Sequence, residues 1–273
     1  MAYQEVLSQQ VIAISISDST ELPLLGLSEQ HLSDAMTEIS RHLLALGSRI
    51  IYGGDLRKNG FTELLFELVS RYRRDADLGD TNPSVLNYIA WPVHIQKKCI
   101  ELNSLSDELT GVAKLVLFNQ NGSQLALQER MQQPMVTPTE DEWEIGLTAM
   151  REAMLRDTTA RIILGGQIKD YRGKMPGIAE EALMSLQAKQ PLFVMGGFGG
   201  CAKDIAELLN ITAPINSVKP NWTNCEMFDI FTFNDLNNGL SQEENTILAQ
   251  TPHVDQAITM ILRGLFRKLV PHI

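Results

Sequence analysis

The sequence predicts an α/β protein: a Rossmann-like, doubly wound parallel sheet with helices on both faces. Three observations carry that expectation. Short apolar runs rich in β-branched residues alternate with stretches of helical periodicity. Runs ending at Tyr52, Leu164 and Met195 each close on doubled glycines: Gly53-Gly54, Gly165-Gly166, and Gly196-Gly197 continued by Phe198 and Gly199-Gly200. Helical patterns follow these turns, and no repeat of solenoid period interrupts the alternation.

The elements follow in order. Val11 to Ser17 alternates and is rich in isoleucine, a first strand with Asp18 and Ser19 at its end. Ser28 suits a helix N-cap, and Leu32, Met36, Ile39 and Leu43 recur at helical spacing up to Gly47. Ser48 to Tyr52 is a second strand, and Phe61 to Tyr72 an amphipathic helix. Val85 to Val93 reads as a third strand that Pro92 brings to an end, and Ala113 to Asn119 as a fourth. The polar, proline-containing stretch from Asn119 to Glu142 is expected to be a lid or binding loop, since loops of that length are uncommon in compact domains. Trp143 to Leu155 is helical and Arg161 to Leu164 a strand. Pro176 opens a helix to Leu186, where its missing N–H costs nothing, and Phe193 to Met195 is the last strand. Asp255 to Leu269 closes the chain as a helix whose apolar stripe serves either a core or a dimer. The reading is one domain over residues 1–273, with a core from about 11 to 209 and a C-terminal extension from 210 to 273.

Length and composition bound the function. A chain of 273 residues, 44% hydrophobic and 21% charged, buries a substantial core. A net charge of −10 disfavours nucleic acid as a partner, because nothing supplies a general attraction for phosphates. Local N–H groups and a few arginines can still hold a small anion. Cys99, Cys201 and Cys225 form no CxxC pair and the five histidines are scattered, so neither a disulfide framework nor a metal site is expected. Cys201 sits at an expected helix N-terminus, where either a lowered thiol pKa or plain small-residue packing fits. The sequence shows no leader-like N-terminus and no run long enough to span a bilayer, so the expected location is cytoplasmic, without membrane contact.

The candidate site gathers at the carboxyl ends of the strands, where open α/β sheets bind ligands. Glycines let backbone N–H groups approach an anion closely, and a helix N-terminus adds partial positive charge. The expected ligand-binding residues are therefore Ser17, Asp18, Gly53, Gly54, Asp55, Arg57, Gly165, Gly166, Gly196, Gly197, Phe198, Gly199, Gly200 and Lys203. Tight strand-to-helix turns that bind nothing would carry the same glycines. Glu180, Glu181 and Asp204 are the carboxylates available for acid/base work at a glycosidic carbon. The segment from Lys169 to Gly177 is a candidate flap over a base or phosphate.

With those residues in view, the chain resembles the SLOG superfamily, the Rossmann-like group related to lonely-guy phosphoribohydrolases and the DNA-processing protein DprA. Tyr52-Gly53-Gly54-Asp55 stands where that superfamily has a YGGG-type turn after its second strand. The hydrolases' PGGxGTxxE motif falls on Met195 to Lys203. The stretches IYGGDLRKNGFTELLFELV, RIILGGQIKDYRGKMPGIAEEAL and FVMGGFGG are similar to a prokaryotic subgroup found beside anti-phage defence and stress-signalling effectors. The resemblance implies a catalytic-type arginine at Arg151, with Arg156 competing, a homo-oligomer, and a separate effector protein as partner. The sequence departs from the hydrolases at Lys203, which replaces the motif's glutamate, and at Gly200, which replaces its threonine.

Two functions follow. The first is binding or sensing of a nucleotide-derived ligand, NAD, ADP-ribose or a cyclic relative, with the glycine turns holding phosphate. The second is N-glycosidic hydrolysis or transfer, with Arg151, Glu180 and Asp204 as the catalytic set. Neither needs a cofactor; NAD or a related nucleotide enters as the ligand.

Overall fold

The computed structural model describes residues 5–54, 56–57, 60–72, 83–111, 113–214 and 220–270. Among the described residues, seven strands form one sheet: β1 Val11–Ser17, β2 Arg49–Gly53, β3 Val85–Ile89, β4 Ala113–Phe118, β5 Gln124–Leu125, β6 Ala160–Gly165 and β7 Leu192–Met195. Their order is β5-β4-β3-β2-β1-β6-β7, all parallel except the short β5. The chain steps outward from β1 to β4, then returns to the other side of β1 for β6 and β7. That reversal places a topological switch between β1 and β6, where Ser17 pairs in register with Gly165.

Among the described residues, ten α-helices surround the sheet: α1 Glu29–Ala45, α2 Phe61–Tyr72, α3 Trp91–His94, α4 Cys99–Glu108, α5 Leu127–Met131, α6 Glu140–Asp157, α7 Gly177–Gln187, α8 Gly200–Leu208, α9 Gln242–Gln250 and α10 Val254–Leu269. Strand alternation explains why both faces are covered. Ile12, Ile14, Ile162, Leu164, Phe193 and Met195 pack with α1, α2 and α10. Their neighbours Ala13 and Ile51 turn instead to α6, and Ile163 and Val194 to α7 and α8. The doubly wound architecture is as the sequence predicts.

Three local differences stand out. The run to Val93 is not one strand: β3 stops at Ile89, and α3 begins at Trp91. Pro92 starts a helix well, because its fixed φ suits the first turn and the N–H it lacks has no partner there. The stretch 119–142 is not an open lid. It forms β5 and α5 and then enters α6 through a capping box, in which Thr139 N–H donates to Glu142 Oε2 at 2.9 Å. Arg130, fully buried, anchors this stretch by donating to the carbonyls of Ile95 and Lys97, each at 3.0 Å, which ties off the chain leaving α3. Pro176 is the residue before α7 rather than its first.

The apolar stripe of α10 is spent within the chain. Ala257, Ile258, Ile261 and Leu265 join the core beneath β1, β6 and β7. Beside β7, Asn238 Nδ2 donates to the Leu192 carbonyl at 2.8 Å and to Asn245 Oδ1 at 2.8 Å. The stripe therefore offers no free dimerisation face.

Candidate functional site

A cleft of about 320 Å³ opens at the carboxyl ends of β1 and β2, bounded by α6, the 167–172 loop and the start of α7. It lies beside the topological switch. Ser17, Gly53, Arg57 and Arg151 line it, four residues that the sequence reading places at the site, together with Glu181 and Gln167.

The floor is a buried charged network. Arg161, fully buried in β6, donates from Nη1 to Glu181 Oε2 at 2.7 Å and to Ser15 Oγ at 2.7 Å, and from Nε to Ser185 Oγ at 3.0 Å. Ser15 Oγ also donates to Glu181 Oε2. Burial pulls the Arg161 guanidinium below its ordinary pKa, against the opposing pull of Glu181. On the α6 side, Arg151 Nη1 donates to Glu180 Oε2, and Thr148 Oγ1 donates to Glu180 Oε1. Both carboxylates of the tandem pair thus turn inward, Glu181 into the cleft floor and Glu180 against Arg151. Arg172 also lines the cleft, stacked over Trp143 with its Cζ 4.1 Å from the ring centre.

The glycine turns share the same end of the sheet but do different things. Gly53 opens onto the cleft. Gly54 packs tightly: its N–H donates to Asn87 Oδ1 at 3.1 Å, and a side chain there would collide with Thr62 and Asn87. Gly165 lies against the Ser17 carbonyl, and Gly166 accepts from Cys201 N–H at 3.0 Å, joining the second turn to the third. Gly196 and Gly197 face the Ala249 and Thr251 carbonyls, and Phe198 is fully buried. These three are occupied by packing against the end of α9.

The N-terminus of α8 carries an anion supplied by the chain itself. Glu21 comes from the β1–α1 connection, and its Oε2 accepts from Gly200 N–H at 2.7 Å. Its Oε1 pairs with Lys203 Nζ at 2.7 Å. Burial alone would lower the Lys203 pKa, but the hydrogen bond and charge of Glu21 carry it upward overall. Gly199 also borders Glu21. A carboxylate on a helix N-terminus is favoured for the same reason a phosphate would be.

The remaining expected residues lie outside the cleft. Asp18 lines two neighbouring depressions. Asp204 accepts from Trp222 Nε1 at 3.0 Å, and burial, helped by Glu21, raises its pKa to about 6. Burial pushes the Cys201 thiol above its ordinary pKa, so helix-end activation does not win there. Asp55 falls outside the described residues. Sequence reasoning missed Ser15, Glu21 and Arg161. An arginine inside an otherwise apolar strand was the available signal for Arg161; Glu21 offered none. Among the described residues, no group of three or more His, Cys, Asp or Glu is placed to hold a metal ion, and no helix is long and apolar enough to cross a membrane.

A largely parallel α/β sheet with its cleft beside the topological switch defines a Rossmann-like protein. The family model described as SLOG cluster2 matches residues 6–248, and the chain belongs to that family. Membership points to a nucleotide-related function. No curated protein matches the chain.

Proposed function

We propose that the protein binds and senses a nucleotide-derived ligand, of the class of NAD, ADP-ribose or a cyclic relative, in the cleft between β1, β2, α6 and α7. The observation that carries this reading is Arg151. It is buried in the cleft wall, pairs with Glu180, and presents its Nη2 edge beside Gly177, the first residue of α7. A guanidinium beside a helix N-terminus suits a phosphate. Ser17 and Gly53 at the strand ends supply the opposite wall.

Sensing is favoured over turnover by what surrounds the carboxylates. General acid catalysis needs a carboxyl group free to carry and release a proton beside the glycosidic carbon. Glu181 Oε2 is held by Ser15 and Arg161, and Glu180 by Thr148 and Arg151. Lys203, where the hydrolases carry glutamate, is paired with Glu21. The second reading, N-glycosidic cleavage, draws on one observation: Glu181 lies in the same cleft as Arg151.

Calorimetry and thermal melts with NAD, ADP-ribose, cyclic ADP-ribose and AMP test the first reading, since a ligand of the native state alone raises its apparent stability. Binding with the ligand recovered intact by chromatography is expected. Free base or ribose 5-phosphate accumulating at turnover rates would instead establish the second. Silence across the panel rejects both.

A further inference from the structure

One carboxylate oxygen on the cleft floor, Glu181 Oε1, makes an ion-pair contact but accepts no hydrogen bond from the described residues. Glu181 spends Oε2 inward, where Ser15 and Arg161 both donate to it, and those two bonds fix the plane of the carboxylate. Its Oε1 lies 3.5 Å from Arg151 Nε, an ionic approach without a hydrogen bond, and that Nε has no hydrogen-bond partner among the described residues. Oε1 looks toward Gly53, whose absent side chain would begin 3.8 Å away. Arg151 itself is only 7% exposed, with Nη1 committed to Glu180 and Nη2 bordering Gly177. The cleft thus offers, side by side, an oriented acceptor with open lone pairs and a cation at the start of a helix.

An acceptor-only oxygen calls for a ligand group that donates, and the cation for one that is negative. A phosphorylated ribose supplies both on one small ring: hydroxyls with O–H donors, and a phosphate within reach of the same sugar. We infer that Glu181 Oε1 receives the hydroxyl pair of a ribose while Arg151, with the first turn of α7, holds the phosphate attached to that sugar. Ser15 and Arg161 act as positioning residues, aiming the carboxylate without touching the ligand. This assignment rests on the nucleotide reading above and narrows it to ribonucleotides whose 2′ and 3′ hydroxyls are both free. A site built to bond a hydroxyl rejects the analogue lacking it, because the buried acceptor is then left unpaired.

The test is calorimetric titration of the full chain with ADP-ribose and AMP, and with the 2′-deoxy, 3′-deoxy and 2′,3′-dideoxy forms of AMP. The hydroxyl-deficient forms are expected to bind roughly 10- to 100-fold more weakly than AMP. If AMP binds and its deoxy forms match it within about twofold, by the same comparison of constants, the ribose assignment is overturned and the nucleotide reading survives. If no probe binds, both fall. Two variants separate the roles. Glu181→Gln is expected to bring the ratio of ribo to deoxy affinity close to one. Arg151→Lys, which keeps a positive charge beside Glu180, is expected to weaken all phosphorylated probes alike and leave that ratio intact; a collapsed ratio there overturns the division of roles. Should Glu181→Gln fail to fold, the wild-type ratio and Arg151→Lys decide the matter.

Discussion

Glu21 and Gly200, 179 positions apart in sequence, meet at the start of α8, where the carboxylate accepts the glycine's N–H at 2.7 Å. Lys203 closes the other side of the same carboxylate. The contact mimics phosphate capture by a glycine turn, and its pieces are partly exposed. Glu21→Ala is therefore expected to lower stability by about 1 kcal/mol at low salt and by less at high salt. The vacated α8 end should then take up an external anion: inorganic phosphate should raise the melting temperature of the variant more than that of the wild type. Equal responses would show that the α8 end does not accept phosphate.

Asp204 and His94 make opposite contributions to pH dependence. The Asp204 carboxyl is held up at about 6, above its ordinary 3.8, so its stabilisation is full below about pH 3.8 and is lost as pH rises through 6. His94 is held down at about 4 by burial, despite the Phe118 carbonyl 2.7 Å from its Nε2. Its contribution is present above pH 6.5 and is lost as pH falls toward 4. Asp204→Asn should be more stable than wild type at pH 7 by about 1–2 kcal/mol, after allowance for partial solvent screening. The advantage should vanish near pH 4, and the His94 loss should stand out in the variant's pH curve. Urea melts across that range measure both; a variant weaker than wild type at pH 7 contradicts the assignment.

Arg161 is the counter-charge on which the cleft floor depends. Truncation to alanine leaves Glu181 in the floor without its inner counter-charge, with Ser15 alone on Oε2, and should cost about 3–5 kcal/mol. Ser15→Ala removes one donor to the same oxygen and should cost about 1–2 kcal/mol. Because both residues address Glu181 Oε2, the two effects should not add. Equilibrium unfolding of the single and double variants tests this, and strict additivity would separate the two residues energetically.

Gly200 and Gly26 have nearly the same left-handed backbone, φ +66° and +71°, but different surroundings. A side chain at Gly200 would drive into the Gly166 carbonyl, whereas nothing lies within 4 Å of one at Gly26. Gly26→Ala should cost about 1 kcal/mol from the backbone alone. Gly200→Ala should cost about 2–4 kcal/mol, because overpacking against the second turn is added. Similar melting temperatures for the two variants would mean that the turns are not locked together.

Much of the architecture was legible in the residues. Isoleucine-rich alternation marked β1, and the doubled glycines marked the ends of β2, β6 and β7, because backbone geometry restricts what can stand at such turns. Trp91–His94 was misread since apolar composition looks alike in a short strand and a single helical turn. The 119–142 stretch hid its order because a buried guanidinium satisfied by carbonyls, as at Arg130, leaves no sequence pattern. At the site, Ser17, Gly53 and Arg57 were within reach of local reasoning, and Arg151 came only from the family resemblance. Glu21 was not: an acidic residue in a polar connection acquires its role only when folding brings it to a helix start far away in the chain.

The amide of Asn238, bonded to the Leu192 carbonyl at the rim of β7, sits where another strand would otherwise pair. A sheet whose last strand has its main-chain groups engaged by side chains resists recruitment into edge-to-edge assemblies. Shortened forms ending near residue 210 would uncover both that rim and Phe193, against which Gly264 closes. Such fragments should clump rather than fold, so the residues after 210 protect the nucleotide-type core from its own edge.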